Sequence, residues 1–123
     1  MKQFMLILVL VFVLFTSSVQ AAPPDNPPPK ITLSCYTDCY TYQRVYIDGT
    51  GFDPKMRFGI RHGDSAGNEW SHGLWDYAND DGTIHAIIRF PTPGNYYMYA
   101  YQVKNTNSKK LFNQTEKVYF TVQ

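Results

Sequence analysis

Asp81-Gly82-Thr83-Ile84-His85-Ala86-Ile87-Ile88-Arg89-Phe90-Pro91-Thr92-Pro93-Gly94-Asn95-Tyr96-Tyr97-Met98-Tyr99-Ala100 decides the fold. It runs as a turn, an alternating strand, a Pro/Gly corner and a second alternating strand. Ile84, Ala86, Ile88 and Phe90 share one face of the first strand; Tyr96, Met98 and Ala100 share one face of the second. A period of two belongs to a strand with one side on a core and one side in water. The same rhythm repeated along the chain predicts an all-β sandwich of antiparallel strands.

Working outward, seven strand candidates emerge. Lys30 to Cys35 places Ile31 and Leu33 on one face. Cys39 to Asp48 turns Val45 and Ile47 inward and Tyr42, Arg44 and Tyr46 outward. Met56 to Arg61 puts Met56, Phe58 and Ile60 on one face and Arg57 and Arg61 on the other. The Gly-rich, polar segment from His62 to Asp81 reads as a long loop with one short strand near Leu74 to Tyr77. Thr83 to Phe90 and Asn95 to Val103 are the two strands quoted above. Lys110 to Val122 ends with Val118, Phe120 and Val122 inward. No sustained helical period appears after the first residues.

Gly49-Thr50-Gly51-Phe52-Asp53-Pro54 resembles the G-x-G-F-x-P turn of bacterial immunoglobulin-like domains. Asp81 to Pro91 followed by Pro93-Gly94-Asn95-Tyr96 resembles the later half of the same pattern. The resemblance implies an immunoglobulin-like antiparallel β-sandwich of about seven strands. It also implies a tyrosine corner at Tyr96, whose phenol would bond a nearby backbone group. It implies little about function, because the fold hosts adhesins, linkers, chaperones and sugar-binding modules alike. The Cys…Trp…Cys hallmark of antibody domains is missing.

The N-terminal segment carries Lys2, an apolar run from Phe4 to Phe15, and Val19 and Ala21 at the spacing a signal peptidase requires. Residues 1–21 are therefore expected to be a secretory signal peptide, and residues 22–29 a stiff Pro-rich leader. Residues 30–123 form one small domain. The apolar run is short for a membrane span, no cysteine marks a lipid anchor, and strand pattern reaches Val122. The expected location is secreted or periplasmic, off the membrane after cleavage. Cys35 and Cys39 are the two cysteines, expected to pair in an oxidising compartment. Four extended steps span about 13 Å, beyond the reach of a disulfide, so Tyr36-Thr37-Asp38 must turn.

The net charge of +1 gives no basis for a nucleic-acid partner. No nucleophile elbow, zinc-protease motif or phosphate loop is present, so the chain is expected to be non-enzymatic, with no cofactor and no metal. His62, Asp64, Glu69, His72 and Asp76 crowd one segment that admits a metal or acid/base site, but its simpler reading is a solvated loop. Asp76, Asn79, Asp80 and Asp81 read as a turn, not a calcium loop. Asn113-Gln114-Thr115 matches a glycosylation acceptor by chance.

Alternation places Tyr97, Tyr99 and Tyr101 on the outer face of their strand. Arg57 and Arg61 are expected on one side of it and Lys117 and Tyr119 on the other, with Gly59 leaving a shallow gap. Phenols flanked by cations suit a glycan or a protein partner, although cross-strand packing alone also explains them. Trp70 is a second anchor, on the long loop; Trp75, flanked by Leu74 and Tyr77, is expected in the core. The expected function is an exported module binding a protein or glycan through the Tyr/Arg face or the Trp70 loop. The alternative is a structural component of a cell-envelope assembly that uses its edge strands.

Overall fold

The computed structural model describes residues 27–104 and 107–123. The expected signal peptide and most of the leader lie outside the described residues. The described residues form eight strands: β1 (Lys30–Leu33), β2 (Val45–Thr50), β3 (Arg57–Asp64), β4 (Glu69–Tyr77), β5 (Ile84–Ile88), β6 (Gly94–Lys104), β7 (Asn107–Phe112) and β8 (Val118–Val122). Among the described residues there is no helix. The strands form two sheets, a three-stranded one in the order β1-β2-β5 and a five-stranded one in the order β4-β3-β6-β7, with β8 also pairing β6. Every strand pair is antiparallel.

The core lies between the sheets and follows the alternation. Val45 and Ile47 of β2, Ile84, Ala86 and Ile88 of β5, Phe58 and Ile60 of β3, and Met98 and Ala100 of β6 are all buried in one cluster. Tyr96 packs against that cluster, and its hydroxyl donates to the Thr92 carbonyl at 2.7 Å. This bond fixes the corner between β5 and β6. Cys35 and Cys39 form a disulfide with Cα atoms 5.3 Å apart, and Cys39 makes a bridge to Val122 of β8. The closed turn therefore anchors the last strand.

Two expectations about the strands are corrected. The count is eight, because the 110–122 candidate divides into β7 and β8 where Asn113 adopts a left-handed conformation (φ 49°). The segment from His62 to Asp81 is not a long loop. It completes β3, turns at 65–68, and returns as the nine-residue edge strand β4. The register slips between Phe58/Gly59 and again between Gly59/Arg61, so β4 carries an extra residue at each place. Such bulges bend a strand and break its period of two, which is why the segment shows no alternation.

One inward position of β6 is polar. Gln102 is fully buried. Its Oε1 accepts the Asp53 N–H at 2.9 Å and the Asn113 Nδ2 at 2.9 Å, while its Nε2 donates to the Asp53 carbonyl at 2.9 Å. Thr115 is buried nearby, and its hydroxyl accepts the Ala100 N–H at 3.0 Å. Asn113 and Thr115, the polar residues of the apparent glycosylation acceptor, thus make inward hydrogen bonds.

Candidate functional site

The register places Tyr97, Tyr99 and Tyr101 on the outer face of β6, opposite Gly63, Arg61 and Gly59 of β3. That direction agrees with the alternation; the expected openness does not. Tyr99 and Tyr101 are each only 4% exposed. A β-carbon added at Gly59 or Gly63 would overlap the ring of Tyr101 or Tyr97, so the two glycines let these phenols lie flat on the sheet. Gly59 leaves no gap, because Tyr101 fills it.

Several polar groups of this face pair with one another, while the buried Nε atoms of Arg57 and Arg61 have no hydrogen-bond partner among the described residues. Glu69, at the start of β4, accepts hydrogen bonds from the hydroxyls of Tyr97 (2.6 Å) and Tyr99 (2.7 Å). Arg61 stands 3.8 Å from Glu69 and lies over the Tyr101 ring at 5.0 Å. Lys117 caps the Tyr97 ring at 4.3 Å. The two phenolic bonds hold the Glu69 carboxyl below its ordinary range. The bond to Glu69 pushes the Tyr97 phenol up to about 12. Burial does most to raise Tyr99. Tyr119, opposite Tyr97 on β8, sets its ring 6.2 Å from that of Tyr97 and is the most exposed of these residues, at 69%; Arg57, half-buried, lies opposite Tyr77 of β4. The face is a second packed layer of the protein, and as an open Tyr/Arg platform the expectation is corrected.

The other candidate is better served. Trp70 lies on the edge strand, opposite His62 of β3, and is 45% exposed. Trp75 is 43% exposed, against the expectation of burial; it is the extra residue of β4 at the Phe58/Gly59 slip. Trp70 and His62 form one wall of a cleft of about 600 Å³ between the β3–β4 hairpin and the Arg89–Thr92 corner. His62 stacks on Trp70 with ring centroids 4.9 Å apart and meets Phe90 edge-on at 5.1 Å. His72, two residues beyond Trp70, turns toward His62, with Nε2 2.5 Å from its Nδ1. Burial, then the neighbouring His72, lowers His62 to about 4, and burial lowers His72 as well. Both rings are therefore neutral at physiological pH. Arg89 and Thr92 add hydrogen-bonding groups to the lining.

Sequence reasoning named Trp70 and grouped His62 with His72 in one crowded segment, but read that segment as a solvated loop and did not set the two rings against each other. The signal was the short polar run Asp64-Ser65-Ala66-Gly67-Asn68, whose Asp64 carboxylate accepts the backbone N–H groups of Ala66 and Asn68. Read as a hairpin turn, it brings residue 62 opposite residue 70. The remaining charged clusters are otherwise engaged. Asp81 accepts from the Thr83 N–H and hydroxyl, Asp76 from the Tyr77 N–H, and His85 pairs with Asp48 at 2.6 Å on the opposite sheet. A wider hollow of about 920 Å³ beside Asp80 and Asp81 is lined by these turn residues.

No family model and no curated sequence matches the chain. Solved structures of similar shape include macromomycin (13% identity, 76% of this chain and 96% of that one, TM-score 0.48). Superoxide reductase (neelaredoxin) from Ignicoccus hospitalis shares 11% identity over 80% of this chain and 82% of its own, with a TM-score of 0.49. The PmoD soluble domain from Methylocystis sp. ATCC 49242 shares 12% identity over 83% and 95%, with a TM-score of 0.47. These likenesses concern a small all-β fold and carry no functional argument. They do correct one expectation. Superoxide reductase is an enzyme, at 7–11% identity across three structures, so the fold gives no ground for calling this chain non-enzymatic, and that reading is withdrawn.

Proposed function

We propose that the protein is an exported immunoglobulin-like binding module that takes its partner at the Trp70 cleft, and that the partner is a glycan. The observation that carries this reading is the half-exposed Trp70 ring in the wall of a cleft of about 600 Å³ that also holds Arg89 and Thr92. An indole offers a flat apolar surface for a sugar ring, while Arg and Thr supply directional hydrogen bonds. The cleft suits one or two sugar rings better than a broad protein interface, which buries about 800 Å² per partner. Export is supported by the disulfide and by the character of the N-terminal segment.

Trp70→Ala is the test. Bound to an array of glycans and extracellular proteins, the wild type should select a glycan, and Trp70→Ala should lose that signal by roughly tenfold or more, the weight of about 1.4 kcal/mol. Equal binding by the two would refute the cleft, and selection of a protein spot alone would refute the glycan.

The alternative, a structural component joined through edge strands, has one observation in its favour. The edge strand β4 exposes Leu74 (38%), Trp75 (43%) and Tyr77 (58%), and unpaired edges invite pairing.

A further inference from the structure

We propose that His62 and His72 form a binding site for a first-row transition-metal cation, with Cu(II) the preferred ion. The site does not depend on the glycan reading, although it shares the cleft. The two imidazoles come from neighbouring strands and aim ring nitrogens at a common point, Nδ1 of His62 and Nε2 of His72, 2.5 Å apart. The two nitrogens are within hydrogen-bond reach, so without an ion one ring donates to the other. Two nitrogens each about 2.0 Å from a cation stand about 3 Å apart, so a small opening of the pair admits the ion between them.

The His62 ring is backed by packing, and the His72 ring is half-buried against it. His62 is held by Trp70, Phe90 and Tyr96, with centroids at 4.9, 5.1 and 5.8 Å. His72 sits in the bulge of β4 followed by Gly73 in a left-handed conformation (φ 72°). His72 stands two residues after Trp70, which lies opposite His62, so the period of the strand turns it to the same face. Imidazole donors suit copper, zinc and nickel, and among divalent ions Cu(II) binds nitrogen sites most tightly. Among the described residues no cluster of three or more His, Cys, Asp or Glu is placed to hold a metal. The carboxylate of Asp64, which also lines the cleft, is taken up by Ala66 and Asn68. The remaining coordination positions are therefore open to water or to a donor entering the cleft.

The experiment is a titration of the protein with CuCl2, followed by electron paramagnetic resonance and by tryptophan emission. The expected result is one ion per chain, nitrogen couplings from two imidazoles, and quenching of Trp70, whose ring stacks on His62. His62→Gln and His72→Gln should each weaken binding roughly tenfold or more. His85→Gln, on the other sheet, should leave it unchanged. If His62→Gln disturbs the packed ring and fails to fold, His72→Gln on the edge strand carries the test. Wild-type binding without nitrogen couplings, no binding at all, or undiminished binding by a folded His72→Gln would overturn the proposal.

Discussion

Gln102→Leu is expected to destabilise the fold by about 3 kcal/mol, lowering the melting temperature by roughly 15 °C for a domain of this size. The substitution keeps the side-chain volume and adds apolar character at a fully buried position, so area arguments alone predict a gain. Hydrogen bonding decides otherwise. Gln102 accepts from the Asp53 N–H and from Asn113 and donates to the Asp53 and Met56 carbonyls. One amide therefore ties the turn before β3 to the residue after β7. Leucine leaves these groups facing a hydrocarbon, and each unpaired one costs about 1–3 kcal/mol to the extent that water cannot replace the amide. Thermal or urea unfolding of the variant checks it. A change within about 0.5 kcal/mol, the range of an ordinary surface substitution, would show that water takes over the network.

Tyr99→Ala is expected to cost about 3 kcal/mol, as truncation of a buried aromatic ring does. The ring packs between Tyr97 and Tyr101 and its hydroxyl donates to Glu69. Tyr99→Phe keeps the ring and removes only the hydroxyl, so it should cost about 1 kcal/mol; Glu69 retains Tyr97 and Arg61. Chemical denaturation of the two variants separates packing from hydrogen bonding. A loss near zero for Tyr99→Ala would mean that the outer phenols are an exposed platform after all. If the packed layer is right, Tyr99→Phe also leaves partner binding intact, whereas Trp70→Ala removes it.

The core was legible because its inward positions are apolar at every second residue. Ile84, Ala86 and Ile88 stand between exposed neighbours on β5, and Met98 and Ala100 keep the same parity on β6, although the other face of β6 is buried as well. The direction of Tyr97, Tyr99 and Tyr101 was legible for the same reason. Their burial was not, because it depends on what lies across from them. Gly59 and Gly63 let the rings lie flat, and Glu69 reaches them from a strand that the pattern concealed. That strand, β4, lost its alternation to two extra residues, and with it went the opposition of His62 and Trp70. Gln102 occupies an inward parity with a polar side chain, and only the chain returning at Asn113 supplies its partner.

The central claim is that β4 folds back to seat Trp70 and His72 on His62 in a half-buried cleft. The most direct measurement is an NMR titration of the histidine ring protons in metal-free protein. Desolvation and the facing His72 predict a midpoint for His62 of about 4. An unfolded histidine takes up its proton near 6.5. Between these values the unfolded chain binds more protons, so His62 makes the fold less stable as pH falls through that window and adds no pH dependence above it. A midpoint for His62 near 4, with its ring protons responding to His72→Gln, is the predicted result. A midpoint near 6.5, unmoved by that substitution, would mean that the hairpin does not close on His62 and that the cleft does not exist.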